Sequence, residues 1–212
     1  MTTTTQLANR ALAYLGEAAI TDITDTTVKH ARVCNEFIDQ VIDEHLRTHR
    51  WNCAISRATL SQLSTDPNHG FTHAYQLPAD FLRLLEVNGE QFDGSDEFLE
   101  IEEGQRLLSN SSEAKIRYVK RIGVAEFDPL LAKAVALGLA MEIAVPLTAN
   151  LELQGQIATL HARALSKARS VDAVETGSRE NRPLARMLRN SPLINARGRR
   201  RGYDPLRFVL PD

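Results

Sequence analysis

The stretch from Leu130 to Leu147 constrains this chain more than any other. It is apolar on almost every side, so a helix made of it has no face left for water. Ala132, Ala134, Ala136, Gly138, Ala140 and Ala144 supply small side chains that let neighbouring elements approach closely. Asp128 and Pro129 open the helix with a cap and a proline at its first position. The stretch is short for a bilayer, and Lys133, Glu142 and Pro146 fall inside it. It predicts a core helix surrounded by protein, and no membrane partner.

Three other segments carry helical periodicity. Leu7, Ala8, Ala11, Leu12 and Leu15 recur along 5–15, with Gly16 placed to stop the helix. Asp25, Thr26 and Thr27 offer caps for a long amphipathic helix reaching about His49. Its apolar stripe is Val28, Ala31, Cys34, Phe37 or Ile38, Val41 or Ile42, and His45 or Leu46. Pro146 and Thr148 mark a break and a new cap. A helix over 149–175 follows, with Leu151, Leu153, Ile157, Leu160, Ala164, Leu165 and Ala168 on its apolar side.

Between the two helical halves the periodicity shortens. Phe71–Leu77, Leu82–Val87, Phe98–Ile101 and Lys115–Lys120 read as short strands. Asp66–Gly70 is a turn cluster, and Asn88-Gly89 suits a hairpin. The predicted class is α+β and mainly helical: a four-helix bundle with an inserted small antiparallel β subdomain and an extended C-terminal arm. The parts are N-terminal helices in 1–50, the β subdomain in 51–127, C-terminal helices in 128–177 and the arm in 178–212.

Charge separates arm from body. Residues 178–212 hold nine arginines and three acids, a net of +6, so with a whole-chain net of −2 residues 1–177 carry −8. Two surfaces for two partners are expected. Leu184, Met187 and Leu188 can line a short helical piece of the arm, and Tyr203, Leu206, Phe208, Val209 and Leu210 make its end apolar. A purely solvating tail lacks such groups. The run Arg197, Arg199, Arg200 and Arg201 can grip phosphate or dock an acidic protein groove, and composition leaves both open.

Motifs for catalysis do not stand out. His45 and His49 share a helix face, but no glutamate lies between them and no third ligand is in view, so a helix end using histidine near its C-terminal dipole is the better reading. His69 and His73 flank a turn as surface residues. Asp93–Glu97 resembles half a calcium loop, yet Gly104 stands where its last glutamate belongs. Glu100, Glu102 and Glu103 read as the wet face of a strand. There is no GxGxxG, GxxxxGK[ST] or GxSxG. Cys34 and Cys53 have no ligand spacing and read as small apolar residues in a reducing compartment, and the polar, uncharged N-terminus shows no signal peptide. The expectation is a protein without cofactor or metal, and not an enzyme. Trp51, at a helix-to-sheet junction, reads as a core pin, with Tyr75 and Pro78 as further structural core residues.

Several blocks in order resemble one family. They are Ala11–Glu17, then Trp51-Asn52-Cys53-Ala54 with Arg57-Ala58 and Leu60, then Tyr75–Arg83, then Asp128-Pro129 opening an alanine-rich helix. The pattern is similar to tail tubular protein A, the head-to-tail adaptor family of short-tailed bacteriophages, over roughly residues 5–170. Trp-Asn-x-Ala-x-x-Arg and Tyr-x-Leu-Pro-x-Asp-x-Leu-Arg are its specific parts, and Cys53 stands where the family leads one to expect phenylalanine. The resemblance implies a non-catalytic subunit of a twelve-membered ring in the virion, at the head-tail junction, made in the host cytoplasm. Implied partners are further copies of the chain, the portal protein, a tail nozzle of the tail tubular protein B type and double-stranded DNA passing without specific binding. Tail fibres are a further candidate. The arm lies outside the matched pattern. Docking on the portal or a neighbouring subunit is expected of it, with Tyr203, Leu206 and Phe208 as anchors and Arg186, Arg189, Arg199, Arg200 and Arg201 as charge partners. The alternative is a nucleic-acid-binding module that uses the basic arm. A hydrolase acting through the β insertion would need a clustered catalytic set around 66–103.

Overall fold

A computed structural model of the chain describes residues 2–65, 67, 69–92, 99–102 and 106–176. It is a mixed α+β fold with four helices and small antiparallel sheets among the described residues. Residues 1–172 form one compact unit and 173–212 a second; the sheets and nearly all of the helical residues belong to the first.

Helix α3 (Pro129–Thr148) is the centre of that unit. The Asp128 carboxylate accepts the Leu130 N–H at 2.8 Å, and Pro129 follows the cap. From Leu131 to Ala140 every residue except Lys133 is buried. Length and a mean hydropathy of 1.9 would suit a membrane span, but protein covers most of this helix. Helices α1 (Thr4–Leu15) and α2 (Lys29–Thr48) both pack on it. Helix α2 comes very near at Gly138, where a Cβ would lie 2.5 Å from the His45 ring carbon Cε1. Thr3 and Gln6 close a capping box on α1, and Gly16, at φ 76°, ends it. The Asn9 side chain then holds Ile20 by both its N–H (2.7 Å) and its carbonyl (2.8 Å), fixing the connection to α2.

The helix ends differ from expectation. Asp25, Thr26 and Thr27 do not cap α2, whose N-cap is Val28 without a side-chain bond. The Asp25 carboxylate instead accepts the Thr27 N–H and hydroxyl, closing a turn ahead of the helix. Helix α3 does not break at Pro146. A proline so near the end removes one donor and keeps a helical φ, and the helix stops at Ala149 in the left-handed region, φ 52°. Asn150, not Thr148, caps α4 (Leu151–Thr176), accepting the Leu153 N–H at 3.0 Å. The apolar side of α4 is also redrawn. Leu151 and Leu160 are 72% and 45% exposed, while Ile157 and Ala168 are buried.

Residues 55–120 form two sheets where one was expected. The strands are β1 (Ile55–Thr59), β2 (His73–Gln76), β3 (Phe81–Val87), β4 (Glu90–Gln91), β5 (Leu99–Glu102), β6 (Arg106–Ser109) and β7 (Lys115–Lys120). One sheet has the order β1-β7-β3-β4 and the other β2-β6-β5, all antiparallel. Strands β1 and β6 were not foreseen, because Arg57 and Arg106 interrupt short apolar runs. At the β3–β4 hairpin, Asn88 and Gly89 take φ of 51° and 92°, the pair of positive values that a tight two-residue turn needs.

The four-stranded sheet serves two cores. Ile55, Leu82, Leu85 and Val119 join the core of the helices. Leu84, Val87, Ile116 and Tyr118 turn the other way and meet Tyr75, Leu77 and Leu107 in a second core with the three-stranded sheet. Alternation does this along β7; on β3 the register shifts between Phe81 and Arg83 and between Leu84 and Glu86 interrupt the alternation, so that Leu82 and Leu85 go to one core and Leu84 and Val87 to the other.

Gly138→Ala puts a methyl group into the space of the His45 ring. It is expected to destabilise the fold by about 1–3 kcal/mol, read as a lower urea midpoint. An unchanged midpoint would mean that α2 and α3 have slack at this contact.

Candidate functional site

The Trp51 block sits where α2 hands over to β1. Trp51 is 1% exposed, and its indole N–H donates to the His45 carbonyl at 2.7 Å. That carbonyl belongs to the last turn of α2, where the helix itself offers no partner. His49 lies edge-on to the indole, 4.5 Å between centroids, and its Nε2–H donates to Asp172 at 3.0 Å. Asn52 reaches the same aspartate, its backbone N–H to the carboxylate (2.9 Å) and its side-chain amide to the carbonyl (3.1 Å). Asp172 thereby ties the end of α4 to this junction.

The second block, Tyr75–Arg83, carries the chain from one sheet to the other. Tyr75 is 1% exposed, and its hydroxyl donates to the Ser111 carbonyl at 2.6 Å. Pro78 is half-buried and starts a tight turn closed by the Phe81 N–H on its carbonyl, 3.1 Å. Asp80 accepts the Tyr118 hydroxyl at 3.1 Å, while Phe81 stacks on that ring. Burial is the main cause that raises the pKa of both tyrosines above the ordinary value. Arg47 of α2 donates to the Leu82 carbonyl, and Arg83 returns a bond to the Arg47 carbonyl at 3.4 Å.

An open groove of about 340 Å³ lies on the four-stranded sheet, lined by Arg57, Thr59, Glu86, Gly89, Lys115 and Arg117 among others. Arg57 and Arg117 stand directly opposite each other in the β1–β7 register. Like charges so placed repel. Glu86 pairs with Arg117, and Glu113 with Lys115 at 2.9 Å. Arg57 has no ion-pair partner among the described residues. The groove suits an oxyanion, a carboxylate or a phosphate.

A third cluster joins α2 to α4. His45 is 6% exposed; its Nδ1 lies 2.7 Å from the Val41 carbonyl and its Nε2 lies 2.7 Å from Nε2 of His161. Burial is the largest cause holding both rings below the ordinary imidazole value. Both cysteines are free thiols; burial pushes Cys34 up to about 11 and raises Cys53 as well. Among the described residues no three histidine, cysteine or carboxylate side chains gather where a metal could bind.

The arm residues Arg186, Arg189, Arg199, Arg200, Arg201, Tyr203, Leu206 and Phe208 lie outside the described residues, as do Asp93–Glu97 and Glu103. Trp51 and Tyr75 are buried pins of different cores. Sequence reasoning missed His161 and Asp172. Their signal was spacing: Ile157, His161, Leu165, Ala168 and Asp172 fall on one helical stripe.

Trp51→Ala should cost about 3–5 kcal/mol, whereas Trp51→Phe keeps much of the bulk and loses chiefly the bond to His45, about 0.5–1.5 kcal/mol. Equilibrium urea denaturation of both variants checks this; equal losses would mean that the hydrogen bond rather than packing fixes the junction. No protein-family model matches the chain, and neither does any curated protein.

Proposed function

We propose that this chain is a structural subunit of the head-to-tail adaptor ring of a short-tailed bacteriophage. The ring joins the portal vertex to the tail nozzle and forms part of the channel through which DNA leaves the capsid. One observation carries the reading: both blocks that resemble the adaptor family are joints. Trp51 and Asn52 fasten the end of α2 to β1 and α4, and Tyr75–Arg83 fastens the two sheets to each other and to α2. Most of their polar groups engage the chain's own backbone and ion pairs. Residues used in this way mark a shape to be held, not a reaction.

Other features support the same reading. Helix α3 is central, covered by α1 and α2, and we read the four helices as a bundle with the β subdomain inserted between its halves. Leu160 and Val171 stay exposed on α4 and offer apolar surface to a neighbouring subunit. A body charge of −8 lets DNA slide by without sticking. Ring closure by heterologous contacts gives each subunit two such neighbours, twelve on the family pattern. The arm, with Tyr203, Leu206 and Phe208 as anchors, docks on the portal or the adjacent subunit.

Electron microscopy of virions should place the chain in a ring at the head-tail junction; density anywhere else defeats the proposal. Deleting residues 178–212 should weaken capture of the subunit by portal rings at least tenfold, and undiminished capture would remove the docking role of the arm. The nine arginines of the arm also suit a nucleic-acid grip. That reading requires DNA affinity falling steeply with salt, the slope counting the phosphates contacted.

A further inference from the structure

We propose that His45 and His161 form a proton-operated clasp that holds α4, the helix leading into residues 178–212, against α2 and α3, and that acidification releases it. The inference does not depend on the adaptor reading.

With both rings neutral, the hydrogen bonds allow one arrangement of protons. The Val41 carbonyl can only accept, so Nδ1 of His45 carries a hydrogen. In a neutral ring Nε2 is then an acceptor. It lies 2.7 Å from Nε2 of His161, which must donate. Both rings are neutral, in opposite tautomers. A proton added to Nε2 of His45 keeps the bond only if His161 turns over to its Nδ1–H tautomer, and a second proton on the pair sets two N–H groups against each other at that distance. A proton added to Nδ1 of His161 would leave the bond but place a cation in a half-buried contact. The ring of His45 cannot retreat, because it lies over Gly138 with no room for even a Cβ between them.

Burial dominates at both rings, and the groups around His45 partly oppose it. On His45 the Val41 carbonyl and Glu44 of α2 favour the cation and Arg169 of α4 disfavours it more weakly; on His161 the His45 ring and Arg169 disfavour it and Glu44 favours it. Helix α3 brings Gly138 to the contact, and its Lys133 and Glu142 are exposed. His49 of α2 faces Asp172 of α4, and that pair survives protonation of His49, so it works against release.

What makes the clasp decisive is how little else holds α4. Among its described residues up to 172, Ile157 and Ala168 are the ones fully buried. Leu153, Ala164 and Leu165 pack on the core while only partly buried, and the other ties are polar: Gln154 to the Met141 carbonyl at 3.2 Å, Arg169 to the Thr48 hydroxyl at 3.3 Å, and the Asp172 contacts. The sign follows from linkage. Both imidazoles sit below their ordinary value of 6.5 in the folded chain. The released state therefore binds more protons, and the clasp contributes fully above that value. Its contribution fades as pH falls from there through the lowered folded values.

The test uses the full chain. At pH 7.5, imidazole nitrogen NMR should show His45 protonated on Nδ1 and His161 on Nε2, with neither ring titrating as an open histidine does. Amide exchange, corrected for the intrinsic effect of pH, should show the protection of residues 151–172 falling at least tenfold by pH 5, while α3 stays protected. The double variant His45→Gln with His161→Gln should lose this dependence, and His49→Gln should keep it. Unchanged protection of α4 at pH 5, an ordinary titration of either ring, or an equal fall in the double variant would each overturn the clasp. Should the double variant fail to fold, NMR and exchange of the unsubstituted chain decide alone.

Discussion

The burial of α3 on nearly all sides is the constraint from which the rest of the fold follows. A helix with no wet face is stable only when other elements cover it, and the chain arranges α1, α2 and part of a sheet to do so. Leu131, Leu137, Leu139 and Ile143 are each 1% exposed or less. Each such side chain contributes roughly 1.5–3 kcal/mol relative to an exposed one. The alanines and Gly138 between them set how near the neighbours come. Close approach has a consequence: at Gly138 the helix surface receives a histidine, so apolar packing and the placement of a titratable ring are one feature.

The second dependence is on the end of α2. Its last carbonyls have no partners within the helix. Trp51 and the Thr48 hydroxyl serve the His45 carbonyl, and Arg83 serves that of Arg47. The groups come from α2 itself, the junction and β3. The sheets are thus hinged on a helix terminus by polar bonds and then locked by Leu82, Leu85 and Val119 entering the helical core. A loss at this hinge would disturb two cores together, because the four-stranded sheet belongs to both.

The legible parts of the fold are those decided locally. Asp128-Pro129, Gly16 and Asn88-Gly89 act within their own turn, and each stands where it was expected. The buried residues of α2 include Ala31, Cys34, Ile38 and Leu46, because a long helix against one partner keeps its period. What escaped was decided by distant partners. Strands β1 and β6 gain their state from β7 and from β2 and β5, with Arg57 and Arg106 on exposed positions that no local pattern marks as strand. The apolar side of α4 was misjudged because apolarity was taken as the sign of contact. Two of its contact positions are His161 and Asp172, and two of its leucines face out. The same cause hid the candidate site. A histidine pair separated by 116 positions exists only once α2 and α4 meet.

Helices α3 and α4 show two ways of attaching a helix. Burial of leucine and isoleucine holds α3, and that attachment changes little between pH 5 and 8. Helix α4 is attached by two buried residues, three partly buried apolar ones and a set of polar contacts, two of which run through imidazole rings. Hydrophobic contact offers no handle by which a solution condition could loosen one helix and spare its neighbour; imidazole does, because its ordinary pKa lies within that range. The charge distribution along the chain adds reason for the difference. Helix α4 is the last helix of the −8 stretch, and in the sequence the +6 segment follows it. Attachment by bonds that can be broken singly leaves it able to respond without disturbing the core beneath.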